Sequence, residues 1–170
     1  MKHLELNINK IRRISEEKEE ENYEFRVFLK GQDSNEVDAI VHELNKEITS
    51  QIDCTKCGNC CISLRPCVDD SEIKRLAKLD GISVAGFKSK FIGEDDFDHT
   101  KYLKDIPCKY LAGKTCSIYP ERPEDCRSYP HTHKSHFTSR TLGMIENYGI
   151  CPIVFNVFEQ LKEELDFYYY

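Results

Sequence analysis

The sequence has no tryptophan and only two methionines in 170 residues. It also has no apolar run approaching the roughly 18 residues a membrane-spanning helix needs, so a membrane role of that kind is excluded. The opening stretch, MKHLELNINKIRRISEEKEEENYE, alternates charges with isolated Leu and Ile and has no continuous apolar segment of the secretory type. The expectation is therefore a cytoplasmic protein. Positive charge is in short supply, with 24 Lys and Arg against 30 Asp and Glu for a net charge of −6. A nonspecific nucleic-acid binder needs a basic surface to displace counterions from phosphates, and no such partner is expected here. The short basic run KIRR, Lys10 to Arg13, is followed at once by Glu16, Glu17, Glu19, Glu20 and Glu21 and reads as solvated charge. Internal repeats and low-complexity segments are absent.

What the chain does have is nine cysteines, nine phenylalanines and nine tyrosines. A chain of this length forms an ordinary hydrophobic core, so the cysteines are not needed as staples and require a separate explanation. The first 50 residues hold none of them and read as a leader and two helices, an N-terminal helical extension suited to packing or to contact with a protein partner. Gly31 ends one helix, Asp33 with Glu36 offers a capping box, and Val37, Ile40, Val41, Leu44 and Ile48 share the face of the next. Residues 51–170 read as the cysteine-bearing domain. Within it, Asp69 or Asp70 caps a helix with Ile73, Leu76 and Leu79 inward and Gly81 at its end, and Ser83 opens a second with Val84, Phe87 and Phe91 inward. Short strands and turns are expected over 94–130 and a hairpin across Phe137 to Ile145. Pro152 opens a last helix with Val154, Val157, Phe158, Leu161 and Leu165 on its apolar face. Tyr168 to Tyr170 form a sticky tail.

Cys54, Cys57, Cys60 and Cys61 are spaced C-x2-C-x2-C-C. Two residues between cysteines let both thiolates turn toward one point, which is why C-x2-C recurs in zinc knuckles and iron–sulfur loops. The run opens as a bacterial ferredoxin run does and then departs from it, because the fourth cysteine follows immediately. Adjacent side chains point in different directions, so the loop is expected to give three ligands to one centre, the extra cysteine serving a second centre or a buried contact. Cys108, Cys116, Cys126 and Cys151 are the candidates to complete the site. Disulfides are disfavoured by the reducing compartment and the odd count. A single nucleophilic thiol, with a partner among His131, His133 and His136 after Cys126, is disfavoured by the eight other cysteines. Those histidines read as an exposed polar turn, Cys67 as a small buried thiol, and Asp95, Asp96, Asp98 and His99 as a solvated loop. Two prolines around Cys126 pre-organise its loop, and Arg122 and Arg127 are placed to offset thiolate charge.

These residues resemble the cysteine-cluster family named for its CxxCxxCC motif, whose members are described as zinc- or iron-chelating. The resemblance rests on Cys54, Cys57, Gly58, Cys60 and Cys61, on PCKYL with Cys108, and on CSIYPERPEDCRSYP with Cys116, Tyr119, Arg122, Pro123, Cys126, Arg127 and Pro130. Cys151 completes the usual eight. It implies a metal site made by Cys54, Cys57, Cys60, Cys61, Cys108, Cys116, Cys126 and Cys151, holding an iron–sulfur cluster or zinc. Around the cysteines the chain is also distantly similar to the flagellin lysine methylases, which are associated with an iron–sulfur cluster. It is much shorter than those enzymes and has no glycine-rich strand–turn–helix for a nucleotide-like methyl donor.

The expected architecture is one small, mainly α-helical domain. Its irregular, loop-rich, cysteine-lined metal centre is clamped by helices from 70–92 and 152–167. Three functions fit that expectation: metal handling, redox or sensing without catalysis; an iron–sulfur-dependent modifying or redox enzyme; and a zinc-stabilised interaction module.

Overall fold

A computed structural model describes residues 3–170. In chain order its elements are α1 (Ile8–Glu17), α2 (Glu19–Lys30), α3 (Ser34–Thr49), a 3-10 turn (Cys54–Lys56), α4 (Asn59–Ser63), α5 (Asp70–Leu79) and α6 (Val84–Phe91). There follow β1 (Ile92–Glu94), β2 (Lys101–Leu103), β3 (Leu111–Ala112), β4 (Thr115–Cys116), a 3-10 turn (Tyr119–Glu121), α7 (Glu124–Ser128), a 3-10 turn (Phe137–Ser139), α8 (Thr141–Tyr148) and α9 (Pro152–Glu164). The protein is mainly helical; the strands form two short antiparallel pairs, β1 with β2 and β3 with β4.

The contacts divide the chain into two units, one running to Asp53 and resuming over Pro130–Tyr170, the other Cys54–Tyr129. The first change falls next to the boundary read at 50/51, whereas the return at Pro130 has no counterpart in the sequence pattern.

In the first unit α9 is the central element. Its sequence pattern promises one apolar face, yet Asn156, Gln160 and Lys162 are buried together with Ile153, Val154, Phe155, Val157, Phe158 and Leu161. The Asn156 amide and the Lys162 ammonium are tolerated because both find partners. Asn156 donates to the carbonyls of Glu5 and Pro152 at 2.9 and 2.7 Å and accepts from the Glu5 N–H at 3.0 Å. Lys162 donates to Glu21, Asn22 and Glu159 at 2.7, 2.7 and 2.9 Å. Phe158 meets Phe25 edge-on, with ring centroids 5.7 Å apart, and Tyr148 at 5.8 Å. The apolar face of α3, with Val37, Val41, Leu44 and Ile48 buried, packs on α9.

Two local expectations are corrected in this unit. The leader is itself a helix, α1, capped by the Asn7 side chain, which accepts from the Lys10 N–H, and anchored by fully buried Ile11. The hairpin expected across Phe137–Ile145 is instead a 3-10 turn followed by α8. Asp38 accepts the backbone N–H groups of His136 and Phe137 at 2.7 and 2.8 Å, which fixes the turn, and Thr141, Met144 and Tyr148 are buried at helical rather than strand spacing.

The second unit has a small core of Val68, Ile73, Leu76, Ala77, Phe87, Leu103 and Tyr110, with Cys108 and Cys116 packed against it. Asp69 caps α5 in a reciprocal box with Glu72, and Ser83 caps α6 through the Gly86 N–H. Asp95 accepts the N–H groups of Phe97 and Asp98, closing the acidic turn between β1 and β2 on itself.

Candidate metal centre

The cysteine loop is more ordered than its Gly-Asn sequence suggests. It is a 3-10 turn carrying Cys54, a left-handed Gly58, and then the single-turn α4 that holds Cys60 and Cys61. Gly58 is required twice over. Its φ of +65° disfavours a side chain, and a Cβ there would stand 2.6 Å from the Lys114 carbonyl oxygen. That close approach, together with a hydrogen bond from the Thr115 hydroxyl to the Thr55 carbonyl at 3.2 Å, seats the β3–β4 hairpin on the loop. The Cys108 N–H donates to the Cys61 carbonyl at 2.8 Å, and Leu111 pairs with Cys116 across the hairpin.

Helix α5 braces the remaining segments. At its start Glu72 accepts the Glu124 N–H at 2.7 Å, and Arg75 reaches the Glu121 carboxylate at 3.1 Å and its carbonyl, holding the stretch that leads to Cys126. Past its end Asp80 pairs with Lys109 and accepts from the Tyr110 hydroxyl, holding the stretch that follows Cys108. The clamp expected of the 70–92 helices is thus made by Glu72, Arg75 and Asp80. Sequence reasoning missed these residues, and the only signal for them is polarity on an otherwise ordinary helix.

The thiols that these elements bring together are Cys61, Cys108, Cys116 and Cys126. They lie close enough for the charge on one to raise the pKa of the others. Burial is the larger cause for Cys108, Cys116 and Cys126, and it pushes Cys126 up to about 12. Cys61 is raised chiefly by a side-chain hydrogen bond with Cys60, then by burial. The neighbouring Cys60 and Cys61 side chains, expected to point in different directions, stand close enough for that bond.

Two features push the other way and favour thiolate. The backbone N–H of Tyr110 donates to Cys108 and that of Ile118 to Cys116, each two residues beyond its cysteine. Arg122 also lowers the Cys116 pKa, while its guanidinium lies over the Tyr119 ring at 3.8 Å. Arg127 is committed elsewhere, to the Pro120 and Arg122 carbonyls at 3.0 and 3.3 Å, and so stiffens the loop around Cys126.

Cys57 is half-buried and Cys54 exposed, both on the cysteine loop. Cys151 is buried in the first unit, at the cap position of α9. His131, His133 and His136 also belong to the first unit, where His133 and His136 are exposed. Cys67 is exposed rather than buried, in a shallow open groove, with its N–H bound to Asp125 at 2.9 Å. Among the described residues no three His, Cys, Asp or Glu side chains stand ready-spaced to grip an ion. The donor chemistry nonetheless suits a soft metal: thiols from α4, β4, α7 and the stretch before β3, with backbone N–H groups aimed at two sulfurs, as thiolate centres require.

Among the described residues no helix is long and apolar enough to cross a membrane. Comparison with curated proteins and with solved structures finds no match. A family profile described as "CxxCxxCC: Putative zinc- or iron-chelating domain" matches residues 53–144, more than half of the chain and all of the second unit's cysteine segments. By that match, and by the thiol group its residues build, this chain is a member of the CxxCxxCC family of metal-chelating domains.

Proposed function

We propose that the chain holds an iron–sulfur cluster or a zinc ion through clustered thiolates and serves in metal handling, redox or sensing in the cytoplasm, where its thiols stay reduced. The observation that carries this reading is the gathering of Cys61, Cys108, Cys116 and Cys126 in one unit, with N–H donors directed at Cys108 and Cys116. Cys60 lies against this group, and Cys54 and Cys57 share its loop. Cys151 is the eighth thiol of the proposed set. A bound cluster would supply electron transfer, and zinc would supply a cross-link between distant stretches of chain.

The residues of the chain hold and tune. The loop and hairpin set the sulfur positions, α5 keeps the Cys108 and Cys126 stretches in register, and burial penalises uncompensated thiolates. Cation binding would therefore release protons and add directly to folding stability. Between the two ions, the C-x2-C-x2-C opening favours the cluster. The small core of the second unit supports the alternative of a zinc-stabilised interaction module, because such a unit gains most from a structural ion.

Anaerobic purification followed by elemental analysis and a visible spectrum tests the proposal. A brown protein with matching iron and sulfide establishes the cluster reading. Colourless protein with stoichiometric zinc establishes the module. Protein that binds neither when reconstituted under reducing conditions refutes both. Turnover of a substrate, lost in Cys57→Ser, would instead assign an iron–sulfur-dependent enzyme.

A further inference from the structure

Just past the end of helix α9 Asp166 is left-handed with φ 50°, and the Phe167 N–H donates back to the Lys162 carbonyl at 2.9 Å. This turn seats Phe167 on Phe25 and Phe28, with ring centroids 4.9 and 5.2 Å apart. Tyr168, Tyr169 and Tyr170 follow, all exposed, and with Tyr23 of α2 they flank an open groove of about 600 Å³. The other polar lining comes from Glu20 and Glu24, one helical turn apart on the same face of α2. The nearby cations are already taken, since Lys18 and Lys162 pair with Glu21 and Glu159. Glu20 accepts a long contact of 3.4 Å from the Tyr169 hydroxyl, and no described residue neutralises Glu20 or Glu24.

We propose that this groove docks a basic segment of a partner protein, with an arginine or lysine side chain seated between the tyrosine rings and the Glu20 and Glu24 carboxylates. Aromatic faces and carboxylates are the two groups that attract a cation, and here they line one groove with no positive charge among them. The Tyr169 hydroxyl has its pKa raised by desolvation and then by Glu20, Glu24 and Glu21, which independently marks the groove as electronegative. The same charge repels nucleic acid and acidic peptides. It also disfavours a second copy of this chain meeting it face to face, because a two-fold contact would set Glu20 and Glu24 against themselves. A lone quaternary ammonium ion would fill only a small fraction of the groove's volume, whereas a peptide side chain with its flanking backbone fills more of it.

The test uses the full chain and a short fluorescent peptide of alternating Arg and Gly, followed by anisotropy, with Gln-for-Arg and Glu-for-Arg peptides as controls. Saturable binding of the Arg peptide is expected, about tenfold or more tighter than the Gln peptide and weakened by added salt. The doubly substituted Glu20→Lys, Glu24→Lys chain is expected to lose about tenfold in affinity, and Tyr168→Ala with Tyr169→Ala several-fold. All four side chains are exposed, so matched circular dichroism establishes that the variants are folded. Equal affinity for the Arg and Gln peptides, or unchanged affinity in the charge-reversed chain, overturns the proposal. So does tetramethylammonium displacing the peptide at equal concentration, which assigns a small cation. A dimer abolished by Tyr168→Ala would assign a second copy and overturn it equally. None of these outcomes depends on the metal content of the protein.

Discussion

The two units of this chain are of similar length but are held together differently. Among the described residues, seventeen of the buried hydrophobic side chains fall in the unit built around α9 and seven in the unit Cys54–Tyr129. The first fills its centre with Phe25, Phe137, Tyr148, Phe155 and Phe158, and satisfies the buried Lys162 ammonium through three acceptors. Beyond α5 and α6, the second relies on two- and three-residue strands, one-turn helices and hydrogen bonds between side chains and backbone, with Cys108 and Cys116 packed against its core. Apolar area stabilises the first without help. On the proposed reading a bound metal cross-links the second, where burial of so few side chains opposes the entropy of ordering a loop-rich chain poorly. Eight of the nine cysteines lie in the unit with fewer buried apolar side chains, and Cys151 lies in the other.

The largest effect should follow from removing one thiol of the group. Cys126→Ser, or exhaustive chelation of the native protein, is expected to abolish metal content and unfold the second unit. Hydrogen exchange would show protection lost over 54–129 and kept in α3 and α9, since structural metal sites of this class contribute on the order of 10 kcal/mol. Equal loss in both units would show that the comparison is false. Phe158→Ala should do the converse, costing about 3–5 kcal/mol of stability by denaturant titration while leaving metal stoichiometry unchanged. Gly58→Ala must place a Cβ against the Lys114 carbonyl in a left-handed conformation. It is expected to cost about 2 kcal/mol and to lower metal affinity, measured by competition with a coloured chelator. Arg75→Ala loosens the brace from α5 to Glu121; because the pair is partly exposed, about 0.5–1 kcal/mol is expected, with a faster metal off-rate.

The smallest effect concerns acid. Burial pushes the Glu159 pKa up, but Lys162 and Lys18 more than offset this and leave it below its ordinary 4.5. A lowered folded-state pKa means stability that is present above 4.5 and lost as the pH falls through the folded value. Thermal melts of the first unit should therefore weaken below about pH 4.5, and Glu159→Gln should flatten that dependence. An unchanged profile in Glu159→Gln would remove Glu159 from the account.

Much of the local structure is legible in the sequence because it rests on short-range chemistry. Asp33, Asp69 and Ser83 cap helices, Gly31 and Gly81 end them, and Pro152 opens one, each through a backbone N–H or φ requirement that its own neighbours create. The α8 region was misread as a hairpin because its turn is set by Asp38, some hundred residues earlier in the chain. The burial of Asn156 and Lys162 was equally invisible, since their partners Glu5, Glu21 and Asn22 are distant in sequence.

The same division holds for the candidate site. Cysteine spacing by itself determines that Cys54, Cys57, Cys60 and Cys61 share a loop, and the family resemblance adds Cys108, Cys116 and Cys126 to the pattern. Only the tertiary structure decides which thiols meet. Cys61 joins Cys108, Cys116 and Cys126 because Glu72 and Arg75 of α5 and Asp80 just past its end tie the later segments together, and Gly58 lets the β3–β4 hairpin approach. Long-range hydrogen bonds of this kind carry no periodicity or spacing signal, so their positions become readable only once the chain has folded.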